Sequence, residues 1–383
     1  MKRILFMVYV SCFVLHALCG IDRAFFEGML RIPSRCGDEA QLRRVVDYTR
    51  TWLENRGVWC KVETNEAGRV ALYAATKRGE KTPDYLFVSH LDVVSAPDRM
   101  FQPRYQGDKV FARGACDTKG NAVVACQVLA ELNGKASVGM FLATDEDGGG
   151  RGTATAAMMI KRGYIPRRLV LVGDSAGEEP GQLFVAEKGS GYLTLIAHGK
   201  GGHSSRPWAL DNPAPKLFKS YLRFAEEWEK GLKPGEKWQT VLSPTILRGS
   251  SVGNIVPDTV TLTLSCRYTE PAEFDRAVKA VKAALVKGVE LRASRGRPPV
   301  LNRPNDPEIM ALLAAMKAKL PGGITEGRMS AATDASYYAK CGRPIVIFAA
   351  TGGEPHCERE WGSLSSLDDY AVFFTDYLGW RRQ

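Results

Sequence analysis

The stretch Met140–Gly150 reads MFLATDEDGGG: a short apolar run, three consecutive acids (Asp145, Glu146 and Asp147), then three glycines. The apolar half is the right length for a buried strand. Adjacent carboxylates repel one another, and their pKa values rise unless positive charge sits between them. Two readings are open. One is a solvated acidic loop after a strand. The other is a metal site, in which one acid binds a cation and its neighbour takes a proton from water as a general base.

Beyond residue 20 the chain has four histidines, His90, His198, His203 and His356. Any one alone reads as a packing or surface imidazole. His90, however, directly follows the apolar run 85–89 in SHLDVV, with Asp92 two residues on. A metal-bound histidine commonly hands its second N–H to a carboxylate, which fixes the tautomer, and His-x-Asp supplies both members. Asp117 lies in RGACDTKGN, ahead of the Ala- and Val-rich helical stretch 120–132. It is either a helix N-cap or a carboxylate able to bridge two cations through both oxygens. Asp174 follows the apolar run 168–172, and His356, in GGEPHCEREW, follows 345–349. Four strand ends therefore present His, Asp/Glu, Asp and His. The carboxyl ends of parallel strands are where α/β folds gather their ligands. Two divalent ions about 3.5 Å apart sharing a carboxylate form a recurrent hydrolytic centre. Nitrogen plus oxygen donors suit zinc, with cobalt or manganese as substitutes. Other chemistries fare worse. GGGRGT lacks the lysine of a phosphate-binding loop, no GxSxG elbow occurs, and Cys357 beside His356 reads as packing rather than as half of a thiolate dyad.

The elements needed to position these groups are visible as patterns. From Ile21 to about Glu63 the spacing predicts helices, one with Phe25, Phe26, Met29 and Leu30 on a face, the next closed by Gly57. Strands are expected at 70–73, 85–89, 138–144 and 168–172, with helices at 120–132 and 153–162. Such alternation indicates an α/β fold with a mostly parallel sheet. Near Gly189 the texture changes. Strand 192–197, helix 214–232, strands 240–247 and 259–267 and helix 274–289 read as a self-contained α+β unit. The proline-rich stretch 295–307 reads as a hinge, and the α/β texture then returns with helix 307–319, strand 345–349 and helix 366–378.

At 383 residues the chain is comfortable for two domains. Lys and Arg outnumber Asp and Glu by 52 to 42, giving +10, a balance suited to anionic partners. No basic run interleaved with aromatics marks a nucleic-acid face, so no nucleic-acid partner is expected. The segment 1–20 differs from the rest. Lys2 and Arg3 precede ILFMVYVSCFVLHAL, which is short for a membrane span and about right for a secretory h-region. It is expected to be a signal peptide or anchor, placing the protein in the periplasm or outside the cell if cleaved and in the cytoplasm if the segment is neither. Membrane contact is expected through this segment alone. Its removal takes away two positive charges and no acid, leaving +8. Seven cysteines then remain, an odd number with no C-x-x-C pair, and they read as buried free thiols.

Taken together, SHLDVV, RGACDTKGN, ATDEDGG, LVGDSAG, GKGGHSSRP, GNIVPD, SAATDA and HCEREW resemble a known family, in its order and at its spacings, from Ile21 to the C-terminus. It is the dinuclear-zinc metallopeptidase and deacylase family that includes carboxypeptidase G, succinyl-diaminopimelate desuccinylase, acetylornithine deacetylase, aminoacylase and the carnosine dipeptidases. The resemblance implies a catalytic domain over 21–189 and 297–383 and an inserted lid and dimerisation domain over 190–296. It implies two divalent ions, His90 and Asp174 on one, Asp147 and His356 on the other, with Asp117 bridging. Asp92 would orient His90, and Glu146 would be the general base. His203 would stabilise the oxyanion in the partner subunit's site, which makes a homodimer the expected assembly. Asn254 and Arg267 match positions that bind a substrate carboxylate, a task suited to a guanidinium, and Thr333 and Asp334 match a loop beside the substrate.

The chain departs from the family in having Glu146-Asp147 where Glu-Glu is usual, so a shorter acid must reach the metal. Asp174, rather than Glu, is more typical of the family's aminopeptidases and dipeptidases. Glu178 and Glu179 lie close behind it. The implied activity is hydrolysis of an amide or peptide bond in a small carboxylate-bearing substrate, dipeptidase- or carboxypeptidase-like. The alternative is an N-acyl-amino-acid deacylase of the acetylornithine or succinyl-diaminopimelate type. A non-catalytic binding relative would lack a ligand or the base, and none is missing.

Overall fold

The computed structural model describes residues 20–148, 154–174 and 181–380. The expected export segment, apart from Gly20, and the pair Glu178 and Glu179 lie outside the described residues. Among those residues no helix is long and apolar enough to cross a membrane.

Five strands, Val70–Ala75, Tyr85–His90, Val138–Ala143, Leu169–Gly173 and Ile345–Phe348, are buried at every position. Continuous apolar runs of this kind belong to strands covered on both faces. They form the middle of a nine-stranded sheet. Its order is Trp59–Thr64, Val70–Ala75, Val138–Ala143, Tyr85–His90, Leu169–Gly173, Ile345–Phe348, Gln182–Glu187 and Val300–Leu301, with Thr325–Met329 also paired to Gln182–Glu187. The four strands 138–143, 85–90, 169–173 and 345–348 are mutually parallel neighbours, so their carboxyl ends share one edge. One face is covered by helices Arg23–Leu30, Glu39–Glu54, Lys119–Glu131, Pro307–Lys319 and Leu364–Trp380. On that face the Phe87 ring meets the edge of Phe374 at 5.2 Å. Tyr164, Met159 and Tyr338 pack on the other face.

The helical reading stops too late in two places. Helix Glu39–Glu54 gives way through Gly57, at φ 76°, to strand Trp59–Thr64. Helix Pro271–Ala284 ends five residues before Val289, because Gly288, at φ 87°, turns the chain into strand Val289–Arg295. That strand pairs with Gly189–His198 along its length.

Gly189–His198 belongs to a separate antiparallel sheet, ordered Val241–Arg248, Thr259–Tyr268, Gly189–His198, Val289–Arg295. Helices Pro213–Glu229 and Pro271–Ala284 cover it, and Leu193, Leu195, Leu264, Phe224 and Val281 share a core of their own. After exposed Thr259, the strand Thr259–Tyr268 alternates buried and half-buried, as a sheet covered on one face requires.

Candidate metal centre

The shared edge of the four parallel strands delivers the predicted ligands. His90 is the last residue of its strand, and Asp174 is the first residue beyond strand Leu169–Gly173, its N–H bonded to the Phe348 carbonyl at 3.1 Å. Asp117 arrives on the loop before helix Lys119–Glu131. It does not cap that helix; Thr118 occupies the N-cap position. The Thr118 hydroxyl instead donates to the His90 carbonyl at 3.1 Å, which holds the Asp117 loop against the strand end. From below, buried Glu360 fixes the same loop. Its Oε1 accepts the N–H groups of Gly114 at 2.9 Å and of Cys116 and Asp117 at 3.2 Å, while Oε2 pairs with Arg113.

Asp117 stands between the two histidines. Its Oδ1 lies 3.3 Å from His90 Nε2 and its Oδ2 lies 2.9 Å from His356 Nε2. His356 Nε2 is also 3.1 Å from Asp147 Oδ1, and His90 Nε2 is 3.9 Å from Asp174 Oδ1. His356 reaches this position with φ at 61°, a left-handed backbone that costs a non-glycine residue about 1–3 kcal/mol and is typical of functional sites. The shorter second acid therefore reaches the cluster of candidate donors. Asp145 takes another part: it accepts the N–H of Thr155 at 3.3 Å and the Thr155 hydroxyl, tying down the start of helix Ala154–Lys161.

Asp92 meets His90 more closely through its main chain than through its side chain. His90 Nδ1 is 2.9 Å from the Asp92 carbonyl oxygen and 3.5 Å from its carboxylate. The carboxylate turns to the acidic loop, accepting the N–H of Asp147 at 2.8 Å and of Glu146 at 3.3 Å. Asp147 Oδ2 in turn accepts the Val94 N–H at 2.8 Å.

Charge in the cluster is arranged for a cation. Burial disfavours an ionised Asp117, yet hydrogen bonds to His356 and His90 outweigh it and hold the carboxyl well below its usual range. Burial likewise opposes a charged His90, and Asp117 and Asp92 overcome it to hold the imidazole well above its usual value. His356 is pushed up to about 10, first by Asp117 and then by Asp147. Burial drives Asp174 and Asp334 upward, and each feels the charge of Glu146. Carboxylates that hold protons this firmly on two imidazoles suit a divalent cation in the same place. His90, Asp117 and Asp147 each offer a donor atom within 4.8 Å of the others, and so do His90, Glu146 and Asp174. Two overlapping donor sets of nitrogen and oxygen fit one or two borderline divalent ions.

Three predicted residues sit elsewhere. The strands Gly202–His203 and Ile255–Val256 form a two-residue ladder that pairs His203 with Ile255. The N–H of Ser204 bonds the Asn254 carbonyl at 2.9 Å. His203 and Asn254 are therefore brought together, exposed, and have no hydrogen bond or ion pair to the cluster among the described residues. Arg267 lies half-buried near the end of strand Thr259–Tyr268, opposite Ser190 and Val241, without a carboxylate partner among the described residues. Thr333 is buried beside the cluster with its hydroxyl committed: it donates to Glu187 at 2.6 Å, as does its N–H at 2.9 Å.

Sequence reasoning missed Arg297. Its Nη1 lies 2.6 Å from Glu146 Oε1, an ion pair largely withdrawn from water. Its only signal was a position in the proline-rich hinge. Glu360, Arg113 and Glu187 were also unassigned; a lone charged residue carries no mark of burial in sequence.

The model of the peptidase family M20/M25/M40 matches residues 86–379. The chain belongs to this family. Succinyl-diaminopimelate desuccinylase of Rhodospirillum centenum is 25% identical over 377 residues, covering 93% of this chain and 96% of that relative. Carboxypeptidase G2 of Pseudomonas sp. strain RS-16 is 25% identical over 340 residues, 84% of this chain and 79% of the relative. Among solved structures, the fold is shared with the aminopeptidase PepT of Bacillus cereus (TM-score 0.75, 17% identity, 95% of this chain and 100% of that one). It is also shared with human carnosine dipeptidase 1 (TM-score 0.68, 13% identity, 94% and 96%). This M20 protein is thus a metal-dependent hydrolase of amide or peptide bonds.

Proposed function

We propose that the M20 protein cleaves the amide bond of a small carboxylate-bearing peptide at a centre of two divalent ions, zinc by its donor set. The observation that carries this reading is Asp117, whose two oxygens face different histidines, His90 and His356. His90 and Asp174 would hold one ion, Asp147 and His356 the other, and Asp117 would bridge. Bound, such ions supply Lewis acidity that polarises the amide carbonyl and makes a water acidic enough to lose its proton near neutral pH. Glu146, within donor range of His90 and Asp174 but not assigned as a ligand, takes that proton and returns it to the leaving amine. Asp92 fixes the backbone of Glu146 and Asp147 so that base and ligand keep their separation.

His203 and Arg267 complete the reading. His203 Nδ1 accepts the Ser205 N–H at 3.2 Å, so the neutral ring carries its proton on Nε2, free to donate. An exposed donor with no hydrogen bond or ion pair to its own chain's cluster among the described residues suits an oxyanion contact in a neighbouring subunit, and we infer a homodimer. Arg267, half-buried and without a carboxylate partner among the described residues, suits the substrate carboxylate together with Asn254. Asp174 favours peptides. The desuccinylase similarity over most of the chain favours N-acyl amino acids as the second reading.

The test is a panel of dipeptides and N-acetyl, N-succinyl and N-formyl amino acids, assayed with zinc, cobalt or manganese and with a chelated control. Metal-dependent cleavage confined to dipeptides supports the peptidase reading, and cleavage confined to acyl substrates replaces it with the second. Glu146→Gln should keep fold and metal content and lose turnover by about 10²–10⁴-fold; native turnover in that variant removes Glu146 as the base.

A further inference from the structure

Arg297 sits where the inserted unit returns to the large sheet. Its backbone is fixed to that unit: the Ser190 N–H bonds the Arg297 carbonyl at 2.9 Å, the Gly296 N–H bonds the Ser190 carbonyl at 2.9 Å, and the Tyr268 hydroxyl donates to the Arg297 carbonyl at 2.8 Å. Pro298 and Pro299 follow and restrict the chain beyond it. Its side chain points the other way, into the catalytic cluster. Nη1 donates to Glu146 Oε1 at 2.6 Å and to the Ala332 carbonyl at 3.1 Å, and the guanidinium lies 5.8 Å from the Tyr337 ring centroid. Glu146 has no other side-chain hydrogen bond among the described residues, so one of its oxygens is occupied and the other is free.

We propose that Arg297 is a positioning residue for the catalytic base: it takes one oxygen of Glu146, presents the other to the attacking water, and ties that orientation to the seating of the inserted unit. The inference rests on Glu146 being the base. A glutamate has three side-chain torsions, and its main-chain tether to Asp92 fixes only the first atoms of the residue. Without a partner at its tip the carboxylate samples several rotamers, most of them out of line with the water. A guanidinium held at both ends removes that freedom. Arg297 carries no direct contact with a reacting atom, and its effect passes through Glu146.

The test compares Arg297→Met, Arg297→Lys, Glu146→Gln and the double variant Arg297→Met/Glu146→Gln, each loaded with zinc, on a panel substrate that the native enzyme cleaves. Arg297→Met should lose on the order of 10²-fold in kcat with KM nearly unchanged, since the lost alignment matters only as the reaction proceeds. Arg297→Lys should recover part of that loss, because an ammonium replaces the point charge but not the planar fork. In the Glu146→Gln background, Arg297→Met should cost nothing further. Thermal unfolding gives a readout independent of substrate: the shifts of the two single variants should be non-additive, with the double variant melting no lower than the worse single one. Native kcat in Arg297→Met overturns the proposal. So does a rise in KM at unchanged kcat, which would make Arg297 a substrate contact, or additive losses in both cycles, which would make it only structural. Full activity in Glu146→Gln strikes the base assignment instead and is read separately.

Discussion

Replacing Asp92 by Asn keeps the side chain's shape and removes one of its two acceptors. The carboxylate receives the N–H of Asp147 at 2.8 Å and of Glu146 at 3.3 Å. An amide offers one oxygen, and its NH₂ must face the other N–H. The shorter bond should keep the oxygen, so the Glu146 N–H loses its acceptor and meets a donor. A hydrogen bond to a charged group is worth about 1.5–3 kcal/mol, and that much stability should be lost. The larger effect is positional. Glu146 shifts with its backbone, and a misplacement of about 1 Å costs on the order of 10²-fold in rate. His90 loses a carboxylate charge 3.5 Å away but keeps its place, because the Asp92 main-chain carbonyl holds its Nδ1 at 2.9 Å and survives the substitution. Steady-state kinetics with increasing zinc, read beside urea unfolding, separates this from the alternative. If the carboxylate acted chiefly through His90, metal affinity would fall by about 10–100-fold and excess metal would restore the rate. Recovery of native kcat at saturating metal therefore refutes the argument; a lowered plateau supports it.

Three further outcomes are expected, one at the metal centre and two in the surrounding fold. Chelation should abolish hydrolysis and lower the melting temperature, and added zinc should restore both; hydrolysis that survives exhaustive chelation contradicts the metal reading. Glu63 is disfavoured by burial, but hydrogen bonds from Lys61 and Tyr164 and the charge of Arg162 outweigh it and hold its carboxyl below the ordinary 4.5. An acid depressed in this way stabilises the fold above 4.5 and loses that contribution as pH falls through its folded value. Glu63→Gln should therefore melt below the native chain at pH 7 and converge with it in acid, and a gap that stays constant down to pH 3 counts against the assignment. Phe87→Ala empties a buried site bounded by Phe374 and Phe348. It should cost about 3–5 kcal/mol in urea unfolding, and a loss below about 1 kcal/mol would show that the neighbouring rings close the cavity.

What the sequence revealed divides along physical lines. Buried parallel strands are written as unbroken apolar runs, so 85–90, 138–143, 169–173 and 345–348 were legible, and the residues just past them named the site. Strand Gln182–Glu187 was not read, since it mixes polar and apolar positions next to a glycine-rich stretch. Strand Val289–Arg295 is not legible either: the expected helix reaches its first residue, the expected hinge its last, and the pairing with Gly189–His198 that makes it a strand is long-range and leaves no local pattern. Candidate donors with distinctive side chains, His90, Asp117 and His356 among them, are legible in the sequence. Their supports are not: Glu360 and Arg297 differ from surface charges only in being buried. The role of Asp92 was half legible, for spacing alone does not say whether the carboxylate or the carbonyl meets the imidazole.

The Glu-to-Asp departure at residue 147 has its explanation in these supports. A second acid one methylene shorter reaches the cluster only if its backbone sits closer. The Asp147 N–H is drawn to the Asp92 carboxylate and its Oδ2 to the Val94 N–H, both on the segment that leaves the His90 strand. The loop is thereby pulled toward the strand end, and Asp147 Oδ1 comes within 3.1 Å of His356. The Val94 contact uses the oxygen that does not face His356, so the same short side chain meets the imidazole and anchors the loop. A longer acid at this position would have to give up the Val94 contact or overshoot His356. The short side chain at 147 and the contacts that hold its loop therefore belong together, and Asp92 is the residue that ties the Asp147 backbone in place.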